Sequence, residues 1–194
     1  MTAATPPSRP LTVDRIVESA YEIVQRDGLG ALSMRALGTA LGVDAMAIYY
    51  HVANKRALLA LVTERALSEM AEPLDRSTPW SRRIEHWALG YWDVVTKHRD
   101  LTLAGLADPT VAAGGLAVTR DLVAAISDSG LPPDLLEPTT FIVVDAVHGS
   151  ALSAASQQRE HADIESLRTA FQEGLRTIVA GISTRTGEAT PPEP

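Results

Sequence analysis

The sequence predicts an all-α protein: a compact three-helix N-terminal unit followed by a larger helical C-terminal domain. Three observations predict it. Apolar residues recur at helical spacing through most of the chain. Glycines and prolines punctuate stretches of helical length. No stretch alternates strictly between apolar and polar residues, and no Asn-Gly or Asp-Gly pair marks a hairpin.

In chain order, Thr12 is placed to cap a first helix whose Val13, Ile16, Val17, Ala20, Ile23 and Val24 share a face, and Gly28 ends it. Ser33 caps a short second helix with Met34, Leu37 and Leu41 inward, which Gly42 breaks. Asp44 caps a third helix running to about Val52. Asn54 caps a fourth, with Leu58, Leu59, Val62, Ala66 and Met70 on one side, ending before Pro73. After the loop from Pro73 to Pro79, Trp80, Ile84, Trp87 and Tyr91 mark one face of a fifth helix. A short segment, Asp100 to Ala107, precedes a helix that Pro109 opens and that continues to about Asp128. Beyond the loop Ser129 to Pro133, a long helix spans about Asp134 to Gln158, and a last one about Asp163 to Ile182. The resulting plan is a disordered arm (1–10), an N-terminal unit (11–56) linked onward by helix 54–72, a C-terminal domain (57–183) and a disordered tail (184–194).

Composition narrows the function. The chain has 194 residues, 45% hydrophobic and 21% charged, enough for a buried core. Cysteine is absent, which excludes disulfides and thiolate metal sites and fits a reducing cytoplasm. The first ten residues lack the apolar core of a secretory signal, and no apolar run reaches membrane-spanning length. The net charge of −7 argues mildly against nucleic acid, so any DNA affinity must come from a local basic or dipole-driven patch.

Such a patch is offered by Ser33 to Lys55, where two short helices meet at Gly42 in a tight turn. Leu37, Leu41, Val43 and Ile48 are spaced to fix the angle between them. Ala45, Met46, Ala47, Tyr49, Tyr50 and His51 are left for the outer surface. A Tyr-Tyr-His cluster on so short a helix serves no core, and its hydroxyls and imidazole suit phosphate oxygens. Asn54 and Lys55 add the N-terminus of the next helix, where anions are favoured. The pattern is that of a helix-turn-helix, whose second helix enters the major groove.

The segment, and above all IYYHVANKRALL (Ile48 to Leu59), resembles the DNA-binding domain of the TetR family of regulators over about residues 11 to 72. The resemblance implies an N-terminal helix-turn-helix DNA-binding domain joined to a helical ligand-binding and dimerisation domain. It implies that Arg35 reaches a base edge or a phosphate, that Ala45, Met46 and Ala47 face bases, that Tyr49, His51 and Lys55 clamp phosphates, and that Tyr50 touches backbone or a base at the groove wall. Ala45 and Ala47 replace polar residues of the family pattern, so readout leans on apolar contact with thymine methyls and on Arg35. A palindromic operator read by a homodimer is the implied partner.

The last two long helices carry small residues, among them Gly149, Ser153, Ala170 and Gly174, that permit a partner's helices to approach and form a four-helix bundle. Trp87 and Tyr91 on one helix and Phe141, Asp145 and His148 on another are the candidate lining of a pocket for a small apolar or amphipathic effector. Asp145 and His148 are expected to be buried ionisable groups. An effector between these helices would move helix 54–72 as a lever and change the spacing of the two recognition helices, the repressor then leaving its operator. No metal or cofactor is expected: family members that take a magnesium–tetracycline complex use a histidine after the His-Arg-Asp motif, and here Leu101 to Ala107 contains none. Two other readings stand beside this one. One is a DNA-binding regulator without an effector. The other is a hydrolase using Asp145 and His148 with Ser150 or Ser153, which no nucleophile elbow or phosphate loop supports.

Overall fold

A computed structural model describes residues 10–70, 72–115, 117–158 and 163–187. All ten α-helices among them pack without a strand, in the order α1 (Val13–Asp27), α2 (Met34–Leu41), α3 (Ala45–Tyr49), α4 (Lys55–Leu67), α5 (Trp80–Lys97), α6 (Arg99–Ala107), α7 (Pro109–Ala112), α8 (Thr119–Asp128), α9 (Pro133–Gln158) and α10 (Ile164–Thr186).

The N-terminal helices begin where side chains satisfy their first free amides. Thr12 accepts from the Arg15 amide, Ser33 from Ala36, Asp44 from Met46 and Asn54 from Ala57. Gly28 and Gly42 stop α1 and α2 with positive φ, at 80° and 69°. The first buried cluster joins α1 to α4 through Ile16, Ala20, Leu37, Ile48, Leu58 and Val62, with Leu101 of α6 inserted into it. Truncating such a side chain costs about 2–5 kcal/mol. The expected boundary at 56/57 therefore falls inside α4, whose buried face belongs to this first core while its other side meets the C-terminal helices.

The second cluster holds α5, α8, α9 and α10 around Ile84, Trp92, Leu122, Ile126, Val143, Val147 and Leu175. Trp92 stacks on Phe171, its ring centroid 6.3 Å away, and its indole donates to the Ser150 hydroxyl at 3.0 Å.

Three expected elements differ. The helix from Pro109 to Asp128 is broken: α7 spans four residues, a 3-10 turn follows at Ala113–Gly115, and α8 starts at Thr119. Two adjacent glycines, Gly114 and Gly115, remove the side chains that would hold a continuous helix there. The fourth helix stops at Leu67 rather than near Glu72, with Ser68 as its cap. The last helix continues to Thr186 and closes on Gly187 at φ 74°, with Arg185 against its carbonyl end, so residues 184–187 are ordered helix and cap rather than tail. The expectations for 1–9 and 188–194 lie outside the described residues.

Candidate functional site

Two surfaces emerge, one on the N-terminal helices and one inside the C-terminal helices. On the first, the close crossing of α2 and α3 depends on Gly38 as much as on Gly42. A Cβ on Gly38 would sit 2.9 Å from the Val43 carbonyl oxygen and 3.2 Å from the Ala45 amide. The Val43 amide donates to the Gly38 carbonyl at 2.9 Å, locking the turn. Ile48, fully buried, anchors α3 from below.

That anchoring leaves the other face of α3 outward. Met46 is 63% exposed and Tyr50 88% exposed. Tyr49, His51, Arg35 and Lys55 are exposed as well, and Ala45 and Ala47 are half-buried beside them. All eight expected contact residues are thus exposed or half-buried on α2, on α3 and its end, and at the start of α4. Asp44 is occupied as the α3 cap, so its charge faces the helix amides. Arg56 is tied to Asp108 at 2.9 Å, linking the first turn of α4 to the start of α7.

The second surface is a cavity of about 590 Å³ bounded by α4, α5, α6, α8 and α9. Its walls are mostly apolar. Tyr91 and His148 both line it and are paired with each other, the hydroxyl 2.8 Å from Nε2. Burial pushes the Tyr91 phenol up to about 12. Burial also pulls the His148 imidazole below its ordinary value, against the pull of Asp145, so both groups are neutral near pH 7. Phe141, 58% exposed, stands with Leu106 and Val123 where the cavity opens to solvent.

Two expected lining residues are elsewhere. Trp87 is buried in the C-terminal core, donates its indole N–H to the Val118 carbonyl at 2.8 Å and borders a different, smaller cleft. Asp145 is exposed and outside the cavity wall, although one turn of α9 keeps it close enough for its charge to act on His148. The expectation of two buried ionisable groups therefore holds for His148 in part and not for Asp145. Asp145 being out in solvent also leaves His148 paired with Tyr91 rather than with an acid.

Sequence reasoning missed a polar cluster between the two cores. Glu69 accepts from the Tyr21 hydroxyl, from Lys97 at 2.9 Å and from His98 at 3.1 Å. Arg65 lies over the Tyr21 ring, 4.5 Å from its centroid, and chelates Glu18 of α1 at 2.7 and 3.2 Å. Burial opposes the Glu69 charge, yet these donors outweigh it and hold the carboxyl down at about 2. His98 also lines the cavity. Only its place at the end of α5, before an uncapped α6, could have hinted at this role.

Among the described residues, no group of three or more His, Asp or Glu side chains is arranged to hold a metal ion. No helix among them is long and apolar enough to cross a membrane.

A capped helix-turn-helix, presented by a linker helix that also walls an apolar cavity, defines a helical DNA-binding transcription regulator. Residues 16–62 match the family model described as bacterial regulatory proteins, tetR family. An HTH-type transcriptional regulator from Saccharopolyspora erythraea is 30% identical over 166 residues, 86% of this chain and 70% of the relative. The HTH-type transcriptional repressor DrrR1 from Streptomyces coeruleorubidus is 28% identical over 153 residues, and the match spans 57% of its length. Apo ActR from Streptomyces coelicolor superposes with a TM-score of 0.76 at 26% identity, over 94% of this chain and 99% of that one. The chain belongs to the TetR family of bacterial transcription regulators.

Proposed function

We propose that the protein is a cytoplasmic, ligand-responsive repressor that binds a palindromic operator as a homodimer and releases it when a small apolar or amphipathic effector fills the cavity. The observation that carries this reading is the dual use of α4. Asn54 starts that helix directly after the recognition turn, and Thr63, Ala66 and Leu67 near its other end wall the cavity. An effector that fits one position of α4 better than another shifts the recognition helix by that difference in affinity alone. A structural neighbour supports the ligand half of the proposal: ActR has been solved in complex with actinorhodin, with a TM-score of 0.74 to this chain.

The DNA half rests on the exposed face described above. Arg35, Ala45, Met46, Ala47, Tyr49, Tyr50, His51 and Lys55 are the proposed contacts, with Arg35 and the apolar α3 face reading bases and the rest positioning the duplex. Tyr91, Phe141 and His148 are the proposed effector contacts. Trp87 acts by holding α5 to Val118, and Asp145 acts on His148 through its charge alone.

Dimerisation is supported by the outer faces of α9 and α10. Gly149, Gly174 and Gly181 each present open space where a Cβ would stand. A groove lined by Ala146, Ser153, Ala170 and Gly174 runs between the two helices. Small residues there admit a partner's helices at close range.

Selection of bound duplexes from a random pool, followed by sedimentation of the complex, tests the reading. A two-fold symmetric sequence bound by two chains is expected. Recovery of no enriched sequence, or binding by one chain, overturns it.

A further inference from the structure

We propose that the effector is an uncharged molecule with an apolar body, a hydroxyl at the end held by Tyr91 and His148 and a hydroxyl or carbonyl at the end held by the Thr63 hydroxyl of α4. This deepens the reading of the cavity as the effector site and rests on it.

The charge follows from the lining. Among the described residues, no lysine and no arginine borders the cavity, and the one acid that does, Glu137, is exposed. A carboxylate, phosphate or ammonium group drawn inside would lose its water shell without gaining a counter-charge. His98 and His148 could supply one only by protonation, which burial opposes in both. Glu69 favours the His98 cation, but a charge formed there would already be countered by that carboxylate.

The two ends follow from the polar atoms present. Tyr91 and His148 form a neutral pair that leaves a phenol lone pair for a donor from the ligand. Thr63 Oγ1 is buried in α4 with no hydrogen-bond partner among the described residues, although Thr63 borders the cavity, on a different helix from Tyr91 and His148. Threonine on a helix usually satisfies its hydroxyl on a carbonyl of the preceding turn, and this one does not. A rotation about χ1 exchanges Oγ1 with the methyl and delivers the hydroxyl to the cavity. A ligand that rewards this rotation grips α4 directly, the helix that carries the recognition turn.

Titration calorimetry of the full chain with four probes on one scaffold tests the proposal at about pH 7, where the phenols stay protonated and the acids and amines are charged. The probes are biphenyl, 4,4′-dihydroxybiphenyl, biphenyl-4,4′-dicarboxylate and 4,4′-bis(aminomethyl)biphenyl. The dihydroxy probe is expected to bind at least about tenfold more tightly than either charged one and more tightly than biphenyl. Thr63→Val keeps the shape and is expected to weaken the dihydroxy probe about three- to tenfold while leaving biphenyl unchanged, and Thr63→Ser restores it. Thermal unfolding of each variant confirms that it is folded. Equal binding of a charged probe, or no effect of Thr63→Val, overturns this proposal while the cavity reading stands. Failure of all four, biphenyl included, overturns the cavity reading and this proposal with it.

Discussion

The Tyr21 hydroxyl lies 3.1 Å from His98 Nε2, joining the first helix of the DNA-binding unit to the α5–α6 junction across 77 positions of sequence. Glu69 bridges the same two side chains. Because His98 also forms part of the cavity wall, the cluster is a second physical link between the cavity and the N-terminal helices, beside α4 itself. Its polar groups satisfy one another, and a partly buried network with one member removed leaves the rest unpaired.

Glu69→Gln is therefore expected to lower the unfolding midpoint at neutral pH. The folded carboxyl sits near 2 against an ordinary 4.5, so its contribution is fully present above about pH 4.5 and is lost as pH falls toward 2. The gap between wild type and Glu69→Gln should close over that window. Melting curves across the acid range check it, and a gap independent of pH would mean that the charge of Glu69 does not matter.

The histidines act at higher pH with a related sign. Burial holds the folded His98 and His148 below the ordinary 6.5, so the unfolded chain takes up protons first. Stability is present above about pH 6.5 and falls below it. His148→Gln is expected to flatten part of the descent between about pH 7 and about pH 5, measured by thermal melts in buffers of matched ionic strength.

Gly38→Ala tests the helix crossing. The added methyl meets backbone, which cannot rotate aside, so α2 and α3 must separate by several tenths of an ångström. Overpacking of this kind costs about 1–3 kcal/mol. Operator affinity should fall more than stability does, because the damage is centred on the turn that orients α3. Fluorescence anisotropy with operator duplex, set beside melting curves, separates the two. Unchanged affinity would show that the crossing tolerates a wider angle.

Much of this architecture was legible in the sequence because it is local. Thr12, Ser33, Asp44 and Asn54 are capping residues followed by helical periodicity, and all four cap as expected. What escaped was non-local or looked like a weak version of something else. Gly38 reads in sequence as a poor helix residue, and only the approach of Val43 and Ala45 gives it a reason. The Tyr21–Glu69–His98 cluster joins residues 48 and 77 positions apart, which no periodicity records. Trp87 and Tyr91 lie one turn apart, yet a small angular offset puts one in the core and the other at the cavity. Thr184 to Thr186 has the composition of a tail but is held in α10, with Ile182 and Ser183 buried just before it.

On the DNA face, Arg35→Ala and Lys55→Ala should differ in kind. Loss of a base contact costs about 1–3 kcal/mol and relaxes one operator position. Loss of a phosphate contact weakens all sequences alike and reduces the slope of affinity against salt by about one unit. Binding of operator variants over a range of salt concentrations distinguishes them. If both variants bound every duplex like the wild type, the proposed contact surface would be wrong.

Gly174→Leu separates the monomer from the dimer. Nothing described lies within 4 Å of the Cβ that glycine lacks, so the isolated chain has room for the new side chain. Removing a glycine from the middle of α10 should stabilise that helix by about 0.5–1 kcal/mol. A partner's helices packed on the same face would instead meet four added carbons per chain, twice over by symmetry. The expected result is a folded chain of equal or higher unfolding midpoint that sediments as a monomer and has lost most of its operator affinity. A variant that remains a dimer would place the partner surface on another face of the protein.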